Sequence, residues 1–261
     1  MATWILLRGL TRESGHWGEF PALLAARLPQ ARILALDLPG NGVRHRERSP
    51  LQVAAMVDDC RARLAAQSVD GPLHLLAMSL GAMVALAWAA AHPAEVAGAV
   101  LINTSFAGLS PFYRRLRPAG YPQLFGVLAG GDARDKEAAI LRLTSARADP
   151  RVLDDWVALR RRHPVAPGNA LRQLAAAARF RLPAQRPEPP LLLLSGERDA
   201  LVDPRCSAQL AARWQLPHAR HAAAGHDLPL DDGPWVVTRI AEWLDARGMP
   251  MPECDIKPPL I

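Results

Sequence analysis

The chain has 261 residues, half of them apolar and 21% charged, with a mean hydropathy near zero. Those values exclude a disordered chain and fit one soluble α/β core with room for an insertion. The net charge is +6 and is carried almost wholly by arginine, since Lys136 and Lys257 are the only lysines. Cys60, Cys206 and Cys254 lie far apart with no C-x-x-C pair, which argues against a disulfide framework or a zinc site and points to a reducing, cytoplasmic setting. The first apolar run, Trp4 to Leu7, is stopped by Arg8 and is too short for a signal sequence. No stretch reaches the length of a membrane span.

Short apolar runs alternate with longer amphipathic, alanine-rich stretches. Residues 3–7 read as a buried strand and 17–28 as the helix after it. Strand 32–36 and helix 51–67 follow. Strand 72–78 runs directly into helix 80–91, and strand 96–102 comes next. The strands are continuous apolar runs rather than alternating ones, the pattern of a parallel sheet covered on both faces. This rhythm predicts a doubly wound, mostly parallel α/β sheet. It breaks between residues 106 and 186, where no strand is evident. Helical patterns at 135–147, 151–162 and 169–180, separated by Pro150, Pro164 and Pro167, predict an inserted helical cap there. Strand 190–194, helix 205–214, a short strand near 218–222 and a helix at 234–246 complete the core. The expected organisation is a core of residues 1–105 and 187–247, a cap of 106–186, and an extended tail, 248–261, with four prolines and no periodicity.

The chemistry is concentrated where strands end. At Leu75-Leu76-Ala77-Met78-Ser79-Leu80-Gly81 a buried strand ends in a serine and a helix of small residues begins at once. A serine on so sharp a turn needs small neighbours two residues before and after, and Ala77 and Gly81 meet that demand. The turn also aims the amide of Leu80, at a helix N-terminus, over the serine. A serine hydroxyl needs a base, and His226 lies in Ala224-Gly225-His226-Asp227, between the last strand and the last helix. The base needs an orienting acid. Asp199 sits just past the carboxyl end of strand 190–194, where catalytic groups collect in open α/β sheets. Asp203 competes, but it stands where a side chain would cap the helix beginning at Pro204. Arg8-Gly9-Leu10 ends the first strand, and the Leu10 amide would pair with that of Leu80 as an oxyanion hole. Each element has a plainer reading: a helix-capping serine, a surface-loop histidine, an ordinary strand-to-helix loop. The order Ser, Asp, His, each after its own strand, weighs for a catalytic triad.

These residues resemble the α/β-hydrolase superfamily from about Trp4 to Leu244. The resemblance rests on Arg8-Gly9 through Trp17, Asp37-Leu38-Pro39-Gly40-Asn41-Gly42, the Ser79 elbow, Gly196-Glu197-Arg198-Asp199 and Gly225-His226. Two departures stand out. Ala77 replaces the usual first glycine of the elbow, and Arg8-Gly9 replaces the usual His-Gly, which puts an unusual cation near the site. The resemblance implies a serine hydrolase that cleaves a carboxylic ester or thioester through an acyl-enzyme, with no metal and no cofactor. Ser79 argues against the haloalkane dehalogenases and epoxide hydrolases, which carry an aspartate at the elbow. The arrangement is similar to small carboxylesterases, including the type acting on a methyl ester of an acyl chain on acyl carrier protein. It is similar as well to lyases or acyltransferases that keep the triad, and to homologues that serve as ligand sensors.

The positive charge is uneven. Residues 106–186 hold fifteen Arg or Lys and six Asp or Glu, a net of +9, which leaves about −3 elsewhere. Two readings stand: solvated helix faces with favourable last-turn cations, or a landing surface for an acidic carrier protein or phosphorylated substrate. Nucleic acid is not indicated, because no recognition motif accompanies the charge. For a small acyl ester, Met78, Trp17, Phe106, Phe125 and Trp156 are the candidate contacts, with Phe112, Tyr121 and Leu128 beside them; the same residue types also serve as plain packing.

Overall fold

The computed structural model describes residues 2–147 and 149–248. Its six strands are β1 (Thr3–Leu7), β2 (Arg32–Leu36), β3 (Leu73–Met78), β4 (Val96–Ile102), β5 (Leu191–Gly196) and β6 (His218–His221). They form one sheet in the order β2-β1-β3-β4-β5-β6. Every neighbouring pair is parallel, with Leu7 opposite Ala77, Met78 opposite Ile102 and Ile102 opposite Leu194.

The continuous apolar runs are explained by this placement. Successive strand side chains face opposite ways. Trp4 and Leu6, Leu76 and Met78, Val100 and Ile102 face a layer made by α1 (Phe20–Arg27) and α11 (Gly233–Asp245). Ile5 and Leu7, Leu75 and Ala77, Ala99 and Leu101 face α2 (Val53–Ala66), α3 (Leu80–Ala91) and α9 (Arg205–Trp214). Helix α2 buries Val53, Met56, Val57, Cys60 and Leu64 at helical spacing. Helix α11 starts where the Asp232 side chain accepts the amide hydrogen of Trp235 at 3.0 Å, and it buries Val236, Val237, Ile240, Trp243 and Leu244. Cys60 and Cys206 are free and buried, and Cys254 lies outside the described residues. Among the described residues no helix is long and apolar enough to cross a membrane.

Between β4 and β5 the chain forms α4 (Phe112–Arg115), α5 (Tyr121–Ala129), α6 (Ala133–Thr144), α7 (Arg151–Arg162) and α8 (Pro167–Arg179). The chain leaves and returns side by side, with the Ala107 amide on the Phe180 carbonyl and the Leu182 amide on the Ala107 carbonyl, each at 3.1 Å. Three short elements escape the sequence reading: α4, α5 and α10 (Leu228–Asp231). α5 carries Pro122 and Gly126, which break the helical pattern, while α4 and α10 are single turns. The helix predicted from residue 17 begins only at Phe20, because Ser14–Trp17 is a separate 3₁₀ turn that ends at Gly18 with φ of 52°.

One strand residue makes stability depend on pH. His74 is buried in β3, its ring stacked on Trp4 at 4.7 Å, and neither ring nitrogen has a hydrogen-bond partner among the described residues. Burial pulls its pKa from the ordinary value near 6.5 down to about 4. Between those values the unfolded chain binds a proton that the folded chain refuses. Stability is therefore full above pH 6.5 and falls as pH drops toward 4, by about 1.4 kcal/mol per pH unit for such a group. Urea midpoints at pH 7.5, 6 and 5 should fall progressively, and His74→Phe should flatten the slope. Equal slopes in the two proteins would exclude His74 as a source.

Candidate active site

The strand order places the site. From β1 the chain moves outward to β2, then crosses back to β3 on the other side of β1. The crevice between the carboxyl ends of β1 and β3 is thus the point where the winding reverses, the usual location of a site in open α/β sheets. Gly9 and Ser79 stand at those two ends. Ser79 has φ 55° and ψ −118°, a strained conformation for a residue with a side chain. Gly81 makes the turn feasible, because a Cβ there would lie 2.4 Å from the Leu7 carbonyl oxygen. A Cβ on Gly9 would come within 3.0 Å of Ser79 Cβ and 3.5 Å of its Oγ, so the Gly9–Leu10 backbone runs beside the hydroxyl.

The imidazole and carboxylate come from the next two strands. His226 Nδ1 lies 2.7 Å from Asp199 Oδ2, and both residues are almost fully buried. The other oxygen, Oδ1, accepts the amides of Leu201 and Val202, each at 2.8 Å. Three donors therefore fix the carboxylate. Asp203 turns away: it binds Arg205 through the backbone amide at 3.0 Å and the guanidinium at 2.5 Å, and that neighbour holds its carboxyl below the usual range. Ser79 Oγ and the His226 ring open onto one cavity, and among the described residues no hydrogen bond joins them. In unliganded enzymes such contacts commonly tighten only around substrate.

Two supports of this geometry were not assigned from sequence. Asn103, just past β4 with φ of 47°, donates to the carbonyls of Gly225 at 3.1 Å and His226 at 2.7 Å, and accepts the Gly196 amide at 3.0 Å. It ties the end of β5 to the histidine loop. An amide side chain directly after an apolar strand is the signal the sequence offers; its burial is seen only in the structure. The second is Arg8, whose guanidinium makes two bonds to Asp227, at 3.0 and 2.5 Å, and lies over the Trp17 ring at 4.8 Å. This pair joins the residue before Gly9 to the residue after His226.

The Asp37-to-Gly42 motif buttresses the same loop. Asp37 accepts the amides of Ser14 at 2.6 Å and Val43 at 3.1 Å, and a Cβ on Gly42 would collide with its carboxylate. Asn41 donates to the Arg12 carbonyl at 3.0 Å and accepts from Gln173 of α8 at 2.8 Å. Gln173 in turn accepts the Thr11 amide at 2.8 Å. The loop carrying Leu10 is thereby bonded both to the Asn41 turn and to α8.

The cavity above Ser79 holds about 400 Å³. Gly9, Leu10, Met78, Ser79, Leu80 and His226 line its floor, and Leu116, Tyr121, Leu124, Ile140, Leu143 and Leu174 its mostly apolar walls. Of the five candidate substrate contacts, Met78 lines this cavity. Trp17, Phe106 and Trp156 do not, and that corrects the expectation. Trp17 is buried beneath Arg8 and beside Phe20, Phe106 packs on Phe180, and Trp156 lies against the Arg12 guanidinium at 4.0 Å. Each aromatic ring is satisfied by its own core neighbours. The side chains of Phe125 and Leu128 lie outside the described residues. Phe112 and Tyr121 do line the cavity. Among the described residues no group of His, Cys, Asp and Glu is arranged to hold a metal ion.

The family profile described as alpha/beta hydrolase fold matches residues 5–232, and the chain belongs to that family. A pimeloyl-[acyl-carrier protein] methyl ester esterase of Neisseria meningitidis serogroup B is 33% identical over 200 residues, 73% of either chain. Lipase LipV of Mycobacterium tuberculosis is 34% identical over 156 residues, 58% of this chain and 54% of the lipase, so the match spans about half of that relative. Among solved structures, a hydrolase from Pseudomonas aeruginosa PA01 superposes with a TM-score of 0.75 over 93% of this chain and 89% of the other, at 23% identity, a likeness of fold.

Proposed function

We propose that this protein hydrolyses a carboxylic ester through an acyl-enzyme on Ser79. The observation that carries this reading is the strained Ser79 at the β3–α3 turn, sharing one cavity with a buried His226 that is bonded to Asp199. With Nδ1–H donated to Asp199, His226 Nε2 is free to take the serine proton as Oγ attacks the ester carbonyl. The amides of Leu10 and Leu80 receive the negative charge that develops on the carbonyl oxygen. Collapse of the tetrahedral intermediate passes the proton from His226 to the leaving alcohol. Water, deprotonated by the same ring, then releases the acid. The helices of residues 106–186 act as a cap that encloses the acyl chain, and no metal or cofactor enters.

Two facts support a second reading in which the acyl group arrives on an acidic carrier protein. Residues 106–186 carry a net charge of +9. A second cavity of about 320 Å³ is lined by Lys136, Arg160 and Arg161, and shares Thr11 and Ala170 with the first. A carrier-borne substrate should show a kcat/KM that falls steeply with salt, while a free ester should not.

The test of the main reading is a chain-length series of p-nitrophenyl esters with wild type and Ser79→Ala. Turnover should fall by roughly 10⁴-fold or more in the variant. A folded wild type inert on every ester would overturn simple ester hydrolysis and move the carrier-borne, lyase and ligand-sensing readings forward.

A further inference from the structure

The cavity above Ser79 opens through a rim that the fold leaves uncovered. Six large apolar side chains stand exposed among the described residues, and two of them, Phe112 at 73% and Leu171 at 54%, line this cavity. A third, Tyr113 at 48%, meets Phe112 edge-on with ring centroids 5.7 Å apart. Phe112 and Tyr113 begin α4, and Leu171 lies on α8 one turn before Leu174 of the cavity wall. Single exposed apolar side chains are ordinary, but a group of them around the mouth of a site marks a contact surface.

The charge around this rim has one sign. Residues 106–118 carry Arg114, Arg115 and Arg117, residues 175–182 carry Arg179 and Arg181, and neither stretch contains an acid. The two stretches lie together. Arg115 donates to the Ala177 and Ala178 carbonyls at 2.6 and 2.9 Å, and a Cβ on Gly108 would meet the Arg181 guanidinium at 3.3 Å. Among the described residues none of the five arginines is paired with a carboxylate. Asp203, whose amide donates to the Arg114 carbonyl, is held by Arg205. Arg115 and Arg117 spend donors on backbone carbonyls, Arg117 on that of Asp199 at 2.7 Å, and keep their charge. Arg179 and Arg181 are exposed.

We infer that this rim docks on the surface of an anionic phospholipid bilayer, with Phe112, Tyr113 and Leu171 entering the headgroup boundary and Arg179 and Arg181 facing lipid phosphates. Exposed rings beside arginines suit that boundary, where apolar burial and attraction to anionic lipid add. An acidic protein would match the charge equally. The bilayer is favoured because the apolar rim opens into an apolar cavity, so an acyl chain can pass from lipid toward Ser79 without crossing water. The substrate class rests on the ester-hydrolase reading: long-chain esters held in the bilayer, cleaved by ordinary hydrolysis.

Co-sedimentation with vesicles tests the docking without any catalysis. Wild type should bind vesicles of equal parts phosphatidylglycerol and phosphatidylcholine, less so as salt rises, and bind pure phosphatidylcholine at least roughly tenfold more weakly. Phe112→Asp/Tyr113→Asp should lower the partition coefficient by roughly tenfold or more. Arg179→Gln/Arg181→Gln should lower it by roughly 10- to 30-fold while turnover of water-soluble p-nitrophenyl acetate stays at the wild-type rate. The arginine variant carries the test if the aromatic one does not fold. Absence of binding to the anionic vesicles would overturn the inference, as would binding that both variants leave unchanged. Capture of poly-glutamate in place of vesicles would overturn it too and assign the rim to an acidic protein. Vesicle binding that both variants weaken, with no ester cleaved, would keep the docking surface and remove the ester-hydrolase reading; soluble-ester turnover without vesicle binding would do the reverse.

Discussion

Asp199→Asn is expected to lower kcat on a p-nitrophenyl ester by about 10⁴-fold while leaving the protein folded. The reason lies in the three donors around the carboxylate. Oδ1 accepts the amides of Leu201 and Val202, and Oδ2 accepts His226 Nδ1–H. An asparagine keeps the backbone bonds only by presenting its oxygen to those amides, which turns its NH₂ toward His226. Nδ1 must then accept, and the ring proton moves to Nε2, on the side of Ser79. That imidazole cannot take the serine proton. The opposite orientation points NH₂ at two amide donors and is worse. Asp203→Asn is the control. Its partner is the exposed Arg205, so activity should stay within about twofold. The measurement is kcat for both variants, with circular dichroism to verify folding. A large loss in Asp203→Asn with little in Asp199→Asn would reverse the assignment of the acid.

The two aspartates show what a sequence can carry. Asp199 is separable from Asp203 because one follows the strand end and the other precedes a helix, and both signals are local. The strands are legible for the same reason: a parallel sheet covered on both faces needs continuous apolar runs, and all six appear within two residues of their predicted positions. Ser79 is readable because its turn demands small neighbours on both sides. The aromatic contacts are different. Nothing local says whether Trp156 faces a ligand or, as it does, the Arg12 guanidinium. Direction depends on α7 meeting the loop after β1, more than a hundred residues away in the chain. Arg8 was visible as a misplaced cation, but its partner stands 219 residues on and no spacing rule connects them. Asn103 is a case between these: its position after β4 was readable, its three bonds across the sheet were not.

Arg8 and Asp227 supply the second large effect. Both side chains are about 2% exposed, and each is the other's counter-charge. Removing one leaves an unpaired charge in a desolvated site, so Arg8→Met and Asp227→Asn should each cost about 3–5 kcal/mol in urea unfolding. The double variant Arg8→Met/Asp227→Leu removes both charges, and apolar replacement of a buried pair is often close to neutral, so it should regain most of that loss. Activity should behave differently. The pair joins the residue before Gly9 to the residue after His226, so in the ester hydrolysis proposed above it would hold the loop of the Leu10 amide against the loop of the base. Arg8 and Asp227 are then positioning residues, and an error of a fraction of an ångström between donor and base is enough to slow the chemistry. Stability should return in the double variant while kcat stays low and KM changes little. Recovery of both quantities together would reduce the pair to a structural contact, and single variants costing under about 1 kcal/mol would show that water already screens it.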